Sequence, residues 1–124
     1  RWLKPSPLPL IEKAQGTFAR SAPITNAGDV IAVPTPGHTA GHQSIIVLDG
    51  DTHIFIAGDL TYSQDSLLER KLEGISFALD AHLPSIDRTR AYVTQHPTVY
   101  LPSHDPDAAR RLREREIVPL YARA

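Results

Sequence analysis

The sequence predicts an α/β fold with candidate metal ligands gathered at one edge of its sheet. Two observations carry this. Short apolar runs rich in Val and Ile, bounded by Asp, Gly and Pro, alternate with segments of helical spacing in the order strand, hairpin, helix, strand, helix. In addition, His38, Asp59 and His104 each stand at or just past the end of a different run. Ligands on loops held by a rigid sheet are how a metal site assembled from distant segments looks in sequence.

The elements follow in order. Residues 1–29 are rich in Pro, Ser and Ala without a sustained period, and Pro5, Pro7 and Pro9 argue against a helix, so an irregular lead-in is expected. Val30-Ile31-Ala32-Val33, between Asp29 and Pro34, reads as a buried strand. Ser44 to Leu48 is a second strand, Asp49-Gly50-Asp51 a turn, and His53 to Ala57 the return strand of a hairpin. A short helix is predicted over 64–73, with Ser63 as its cap and Gly74 as its stop. Ile86, Thr89 and Val93 fall at helical spacing within 83–95, where Ser85 after Pro84 is the expected N-cap. Thr98 to Leu101 is the last strand. Asp105-Pro106 then has the form of an N-cap followed by Pro at the first helical position, opening a helix through Ala108, Ala109 and Leu112.

Composition narrows the function. The chain has 124 residues, 41% of them apolar and 22% charged, which is the make-up of one globular domain. A formal net charge of -1 gives no general electrostatic reason to bind nucleic acid or an anionic membrane, and neither is an expected partner. Cysteine is absent, so disulfides and thiolate metal sites are excluded and any metal has to use imidazole and carboxylate. No apolar run approaches the roughly 18 residues of a membrane span. No signal peptide is visible either, and a cytoplasmic location is expected. Methionine is absent, and a chain opening Arg1-Trp2-Leu3 is expected to be part of a longer protein.

Taken singly, the candidate ligands have plain explanations. His38 in a Gly/Pro loop could be a solvated loop residue, Asp59 a turn or cap residue, and His104 a loop residue before a capped helix. Three such residues at the ends of three strands outweigh those explanations together.

These residues carry a resemblance. Pro36-Gly37-His38-Thr39-Ala40-Gly41-His42-Gln43-Ser44, then Gly58-Asp59 with Tyr62 three residues on, then Ser103-His104-Asp105-Pro106, resemble the metallo-β-lactamase superfamily and, within it, the N-acyl-homoserine lactonases. The similarity covers roughly residues 30 to 117. It implies the C-terminal half of a metallo-β-lactamase-type αβ/βα sandwich, with residues 30–124 as the second half of that sandwich. It implies two divalent metal ions, expected to be zinc, with His38 on the first, Asp59 bridging both and His104 on the second. Tyr62 would hydrogen-bond the lactone carbonyl or its developing oxyanion, and a metal-bridging hydroxide would attack the ester-like carbonyl of a small lactone. The family's other ligands lie in a His-x-His-x-Asp-His motif that this chain lacks. One sheet with helices on one side would also leave an apolar face uncovered. The chain is therefore expected to need its N-terminal half or a partner chain, and to be inactive alone.

The other histidines are expected in lesser roles. His42 is assigned a bond that orients a ligand rather than a ligand role. His53 is expected to be exposed, and His82 and His96 to be surface groups flanking the long helix. Arg110, Arg111, Arg113 and Arg115, alternating with Glu114 and Glu116, read as a solvated helix face. Four functions compete, a true β-lactamase or other metallo-β-lactamase-fold hydrolase being a less favoured one. A lactonase is favoured by Asp59 with Tyr62. A thioesterase of the glyoxalase II kind would carry a different phrase after its aspartate than Leu60-Thr61-Tyr62-Ser63. A non-catalytic piece would pack on a partner and bind metal weakly.

Overall fold

A computed structural model describes residues 3–122. Its five-stranded sheet has the order β1-β2-β3-β4-β5, formed by Ala22–Pro23, Val30–Pro34, Gln43–Asp49, Thr52–Gly58 and Thr98–Pro102. β1 to β4 pair antiparallel in succession, and β5 runs parallel to β4. A parallel pair needs a crossover, here supplied by the helices α1 (Gln64–Glu69) and α2 (Leu79–Gln95). α3 (Ala108–Glu114) follows β5.

The predicted hairpin forms with Asp49 opposite Thr52. Its two-residue loop has Gly50 at φ 62, the left-handed first position that a tight hairpin turn demands. One face of the sheet carries Ile46, Phe55 and Tyr100. They pack with Leu67, Ile86, Tyr92 and Val93 of the helices into a core closed to solvent. The register puts Ile45, Ile56 and Leu101 side by side on the opposite face. There Ile56, on an inner strand, remains 43% exposed. A fully buried Ile contributes about 1.5–3 kcal/mol, and Ile56 forfeits much of that. The sheet is open on this side, as one layer of helices requires.

Several boundaries differ from the sequence expectation. The lead-in is not wholly irregular: Ala22 and Pro23 pair with Ile31 and Ala32 as a short edge strand, and Phe18 lies in the core. Two residues are too few to show a period, and Pro suits an edge. Arg1 and Trp2 lie outside the described residues. α1 starts as expected, with the Ser63 side chain accepting from the Ser66 amide, but it ends at Arg70 (φ 56) instead of running to Gly74. Its last carbonyls, on Leu67 and Leu68, accept from Arg90 Nη1 of α2. α2 starts at Leu79 and runs through Pro84. Ser85 does not cap it; its Oγ lies 2.7 Å from the Pro36 carbonyl and 2.9 Å from that of Ala81. α3 begins at Ala108, beyond Asp105-Pro106, with Asp107 at its N-cap position; Asp105 Oδ1 accepts from the Asp107 amide at 2.9 Å while Oδ2 pairs with Arg111.

Candidate metal centre

β4 and β5 end side by side, so the residues just past their ends, Asp59 and His104, are placed together. The register shifts between Ile56 and Gly58, which turns the end of β4, and the Gly58 carbonyl accepts from the Ser103 amide at 3.0 Å. His38, on the loop after β2, completes the group. Asp59 offers one carboxylate oxygen to each histidine: Oδ2 lies 3.3 Å from His38 Nε2, and Oδ1 lies 3.1 Å from His104 Nε2. Oδ1 is buried and makes no well-formed hydrogen bond.

As a holder of divalent metal, the group has suitable spacing and donors but too few of them. Ligand atoms around one tetrahedral centre with bonds of about 2.0–2.1 Å stand roughly 3.3 Å apart. The imidazole–carboxylate spacings fit that value, and the donors are of the right kind. Their number falls short: the two oxygens face different histidines, and among the described residues no group of three His, Asp or Glu forms a ready cation site.

Hydrogen bonds orient each member. The Ile75 carbonyl, which can only accept, lies 2.8 Å from His38 Nδ1, so Nδ1–H donates to it and Nε2 is the nitrogen turned toward Asp59. His42 has the orienting bond expected of it, with Nε2 accepting from the Asp59 amide at 3.0 Å. Its proton therefore lies on Nδ1, 3.0 Å from the Thr35 carbonyl. Burial pushes the His42 imidazole below its usual range, against the raising effects of Thr35 and Asp59.

The Tyr62 ring packs against His104 at a 40° tilt, with ring centroids 4.5 Å apart. Its hydroxyl end lies over Gly74, where a Cβ would come within 2.2 Å of the oxygen; this close approach is what requires glycine there.

Behind His104, Asp105 Oδ2 takes a 2.7 Å bond from Arg111 Nη2 and a 2.9 Å bond from the Gln64 amide at the start of α1. Burial alone would raise the Asp105 carboxyl, but Arg111 and the Gln64 and Asp107 amides outweigh it and hold it low.

Four sequence expectations are corrected. His82 is a core residue, 1% exposed, bonded through Nε2 to the Leu60 carbonyl at 2.7 Å. It lies four residues before Ile86 on the stripe that continues to Thr89 and Val93, so extending the helical period backward would have placed it inside. Arg111 is 4% exposed and ion-paired rather than part of a solvated face. His53 and His96 are half-buried and stacked on each other at 4.8 Å.

No family model matches the chain. It is 32% identical over 82 residues to the N-acyl homoserine lactonase AttM of Rhizobium radiobacter, covering 65% of this chain and 31% of that protein. It is 33% identical over 92 residues to a Mycobacterium bovis protein named as a probable metallo-hydrolase, covering 73% and 30%. The chain thus spans about a third of the length of the relatives it matches. Among solved structures it is similar to AiiA of B. thuringiensis bearing N-decanoyl-L-homoserine at its active site, with a TM-score of 0.59 at 21% identity over 82% of this chain and 39% of that one. A quorum-quenching N-acyl homoserine lactone lactonase gives a TM-score of 0.55 at 23% identity over 76% and 38%. Over the part it spans, the chain is similar in sequence to an N-acyl homoserine lactonase and a probable metallo-hydrolase and shares the fold of the AiiA lactonase, with its mixed sheet left open on one face.

Proposed function

We propose that the protein carrying this chain is a metal-dependent hydrolase that opens the lactone ring of N-acyl-homoserine lactones. The observation that carries this is the Asp59 carboxylate, which gives one oxygen to each of two histidines delivered by different strand ends. His38 and His104 would each hold one divalent cation through Nε2, and Asp59 would bridge the two. Bound there, such cations, zinc first among them, polarise a carbonyl and make hydroxide available near neutral pH.

The chain's own residues do the rest. His42 and Ile75 hold Asp59 and His38 in place. Tyr62, beside His104, would offer its hydroxyl as a hydrogen-bond donor to the substrate oxygen. The missing ligands and the cover for the open face around Ile56 come from another half, in the same protein or a partner chain. A cytoplasmic site of action is part of this proposal.

The test is hydrolysis by the intact, zinc-loaded protein of an N-acyl-homoserine lactone against a hydroxyacyl thioester. Preference for the lactone is expected, and preference for the thioester would replace this assignment with the glyoxalase II kind. Tyr62→Phe should lower lactone turnover by less than the roughly 10²–10³-fold of a lone oxyanion donor, because the metals share the charge, and should leave metal content unchanged. Full activity in that variant would remove Tyr62 from the chemistry.

A further inference from the structure

His38 follows β2 and Asp59 follows β4, with β3 lying between those strands. Neighbouring strands stand about 4.8 Å apart, so the two strand ends are separated by roughly 10 Å. The sheet by itself therefore does not bring His38 Nε2 to 3.3 Å from Asp59. The segment from Ile75 to His82 does. Its Phe77 amide donates to the His38 carbonyl at 3.2 Å, and its Ala78 amide to the Gly37 carbonyl at 2.9 Å. Its Ile75 carbonyl accepts a hydrogen bond from His38 Nδ1 at 2.8 Å. His82 closes the strap on the other side. The Leu60 carbonyl can only accept, so His82 Nε2 donates to it at 2.7 Å, one residue past Asp59. Nδ1 lies 2.9 Å from Ser76 Oγ, which in turn lies 3.1 Å from the Gly37 carbonyl. Gly37 packs so closely that a Cβ on it would stand 2.3 Å from His82 Cγ.

We infer that His82 is a positioning residue that ties the His38 loop to the Asp59 loop, setting the distance between these two side chains and the tautomer of His38. It touches neither substrate nor reacting atoms. A polar ring kept in the core with both nitrogens engaged holds two loops together in a way an apolar residue of the same size cannot. The meaning of this tie for metal binding rests on the proposed metal site; the tie itself does not.

The experiment compares the intact protein with His82→Leu, His82→Gln and Ser76→Ala. Two readouts are taken: long-range proton–nitrogen correlations of the imidazoles in metal-free protein, and Co(II) titration followed by visible absorbance. The parent should show His38 as a single Nδ1–H tautomer. His82→Leu should mix the tautomers and speed exchange of the Phe77 and Ala78 amides. It should also weaken Co(II) binding by about 10–100-fold, the usual range for an outer partner of a ligand. His82→Gln, which can still donate to Leu60, should recover most of both. If His82→Leu does not fold, Ser76→Ala, which cuts only the link to Gly37, should give the same changes in smaller size. An unchanged His38 tautomer in the folded variants would overturn the inference, as would a Gln variant no better than Leu. A parent that takes up no Co(II) while its variants shift the tautomer would sink the metal proposal and leave the tie standing.

Discussion

Two histidine pairs stand at opposite ends of the parallel strands β4 and β5, and they behave differently. Past the strand ends, His38 and His104 flank the Asp59 carboxylate, one oxygen each. At the strand starts, His53 and His96 stack on each other at 4.8 Å, and His53 Nδ1 lies 2.6 Å from the Tyr92 hydroxyl. Burial, and then the neighbouring His96, push the His53 imidazole down, with no carboxylate opposing them. The first pair has a negative charge to share with a cation. The second has only another imidazole and a phenol beside it, and it packs as an aromatic cluster with Tyr92. Histidine count does not make a metal site; the placed carboxylate does.

Removing that carboxylate should make the first pair resemble the second, with the largest effect. Asp59→Asn leaves one neutral carbonyl oxygen where two anionic ones stood. Its loss of metal uptake should exceed the ~10–100-fold typical of removing an outer partner, and lactone hydrolysis should disappear with it. Metal analysis and kinetics on the intact protein check this, and retained metal would show that the histidines suffice alone.

The next effect comes from behind His104. Arg111 and Asp105 form a buried pair with side-chain exposures of 4% and 7%. Arg111→Met strands the Asp105 charge, and breaking a buried pair in this way costs on the order of 3–5 kcal/mol. Urea denaturation should show that loss, together with weakened metal binding as the His104 loop moves. A loss below about 1 kcal/mol, the scale of a surface pair, would make this contact incidental.

The smallest effect belongs to the stacked pair. The fold holds His53 below its ordinary 6.5, so on acidification the unfolded chain takes up its proton first. The contribution is complete at neutral pH and above, and is lost as pH falls through 6.5 toward the lowered folded value. His42, also lowered, acts in the same direction. His53→Gln should therefore narrow the drop in urea midpoint between neutral and mildly acid pH while leaving metal uptake unchanged. A change in metal uptake would erase the contrast between the two ends.

Much of this was legible in the chain itself. β2 to β5 show as runs such as Val30-Ile31-Ala32-Val33 and Thr98-Val99-Tyr100-Leu101, because a buried strand needs several apolar residues between breakers. The start of α1 shows because Ser63 caps it locally. His38, Asp59 and His104 show because each follows such a run, and the family-like phrases strengthen them.

What only the tertiary structure decided are the features whose partners lie far along the chain. Arg90 ends α1 by taking the Leu67 and Leu68 carbonyls from a second helix. The Gly37 carbonyl draws the start of α2 back past Pro84 by accepting the Ala78 amide. His82 and Arg111 carry polar heads that composition assigns to solvent; Leu60, Ser76, Tyr100 and Asp105 hold them inside by hydrogen bonding both His82 nitrogens and Arg111 Nη2. Periodicity and capping are set by neighbours within a turn or two, so the sequence displays them directly. A buried polar group or a helix end held by a carbonyl tens of residues away depends on which segments the folded chain brings together, and no local pattern records that choice.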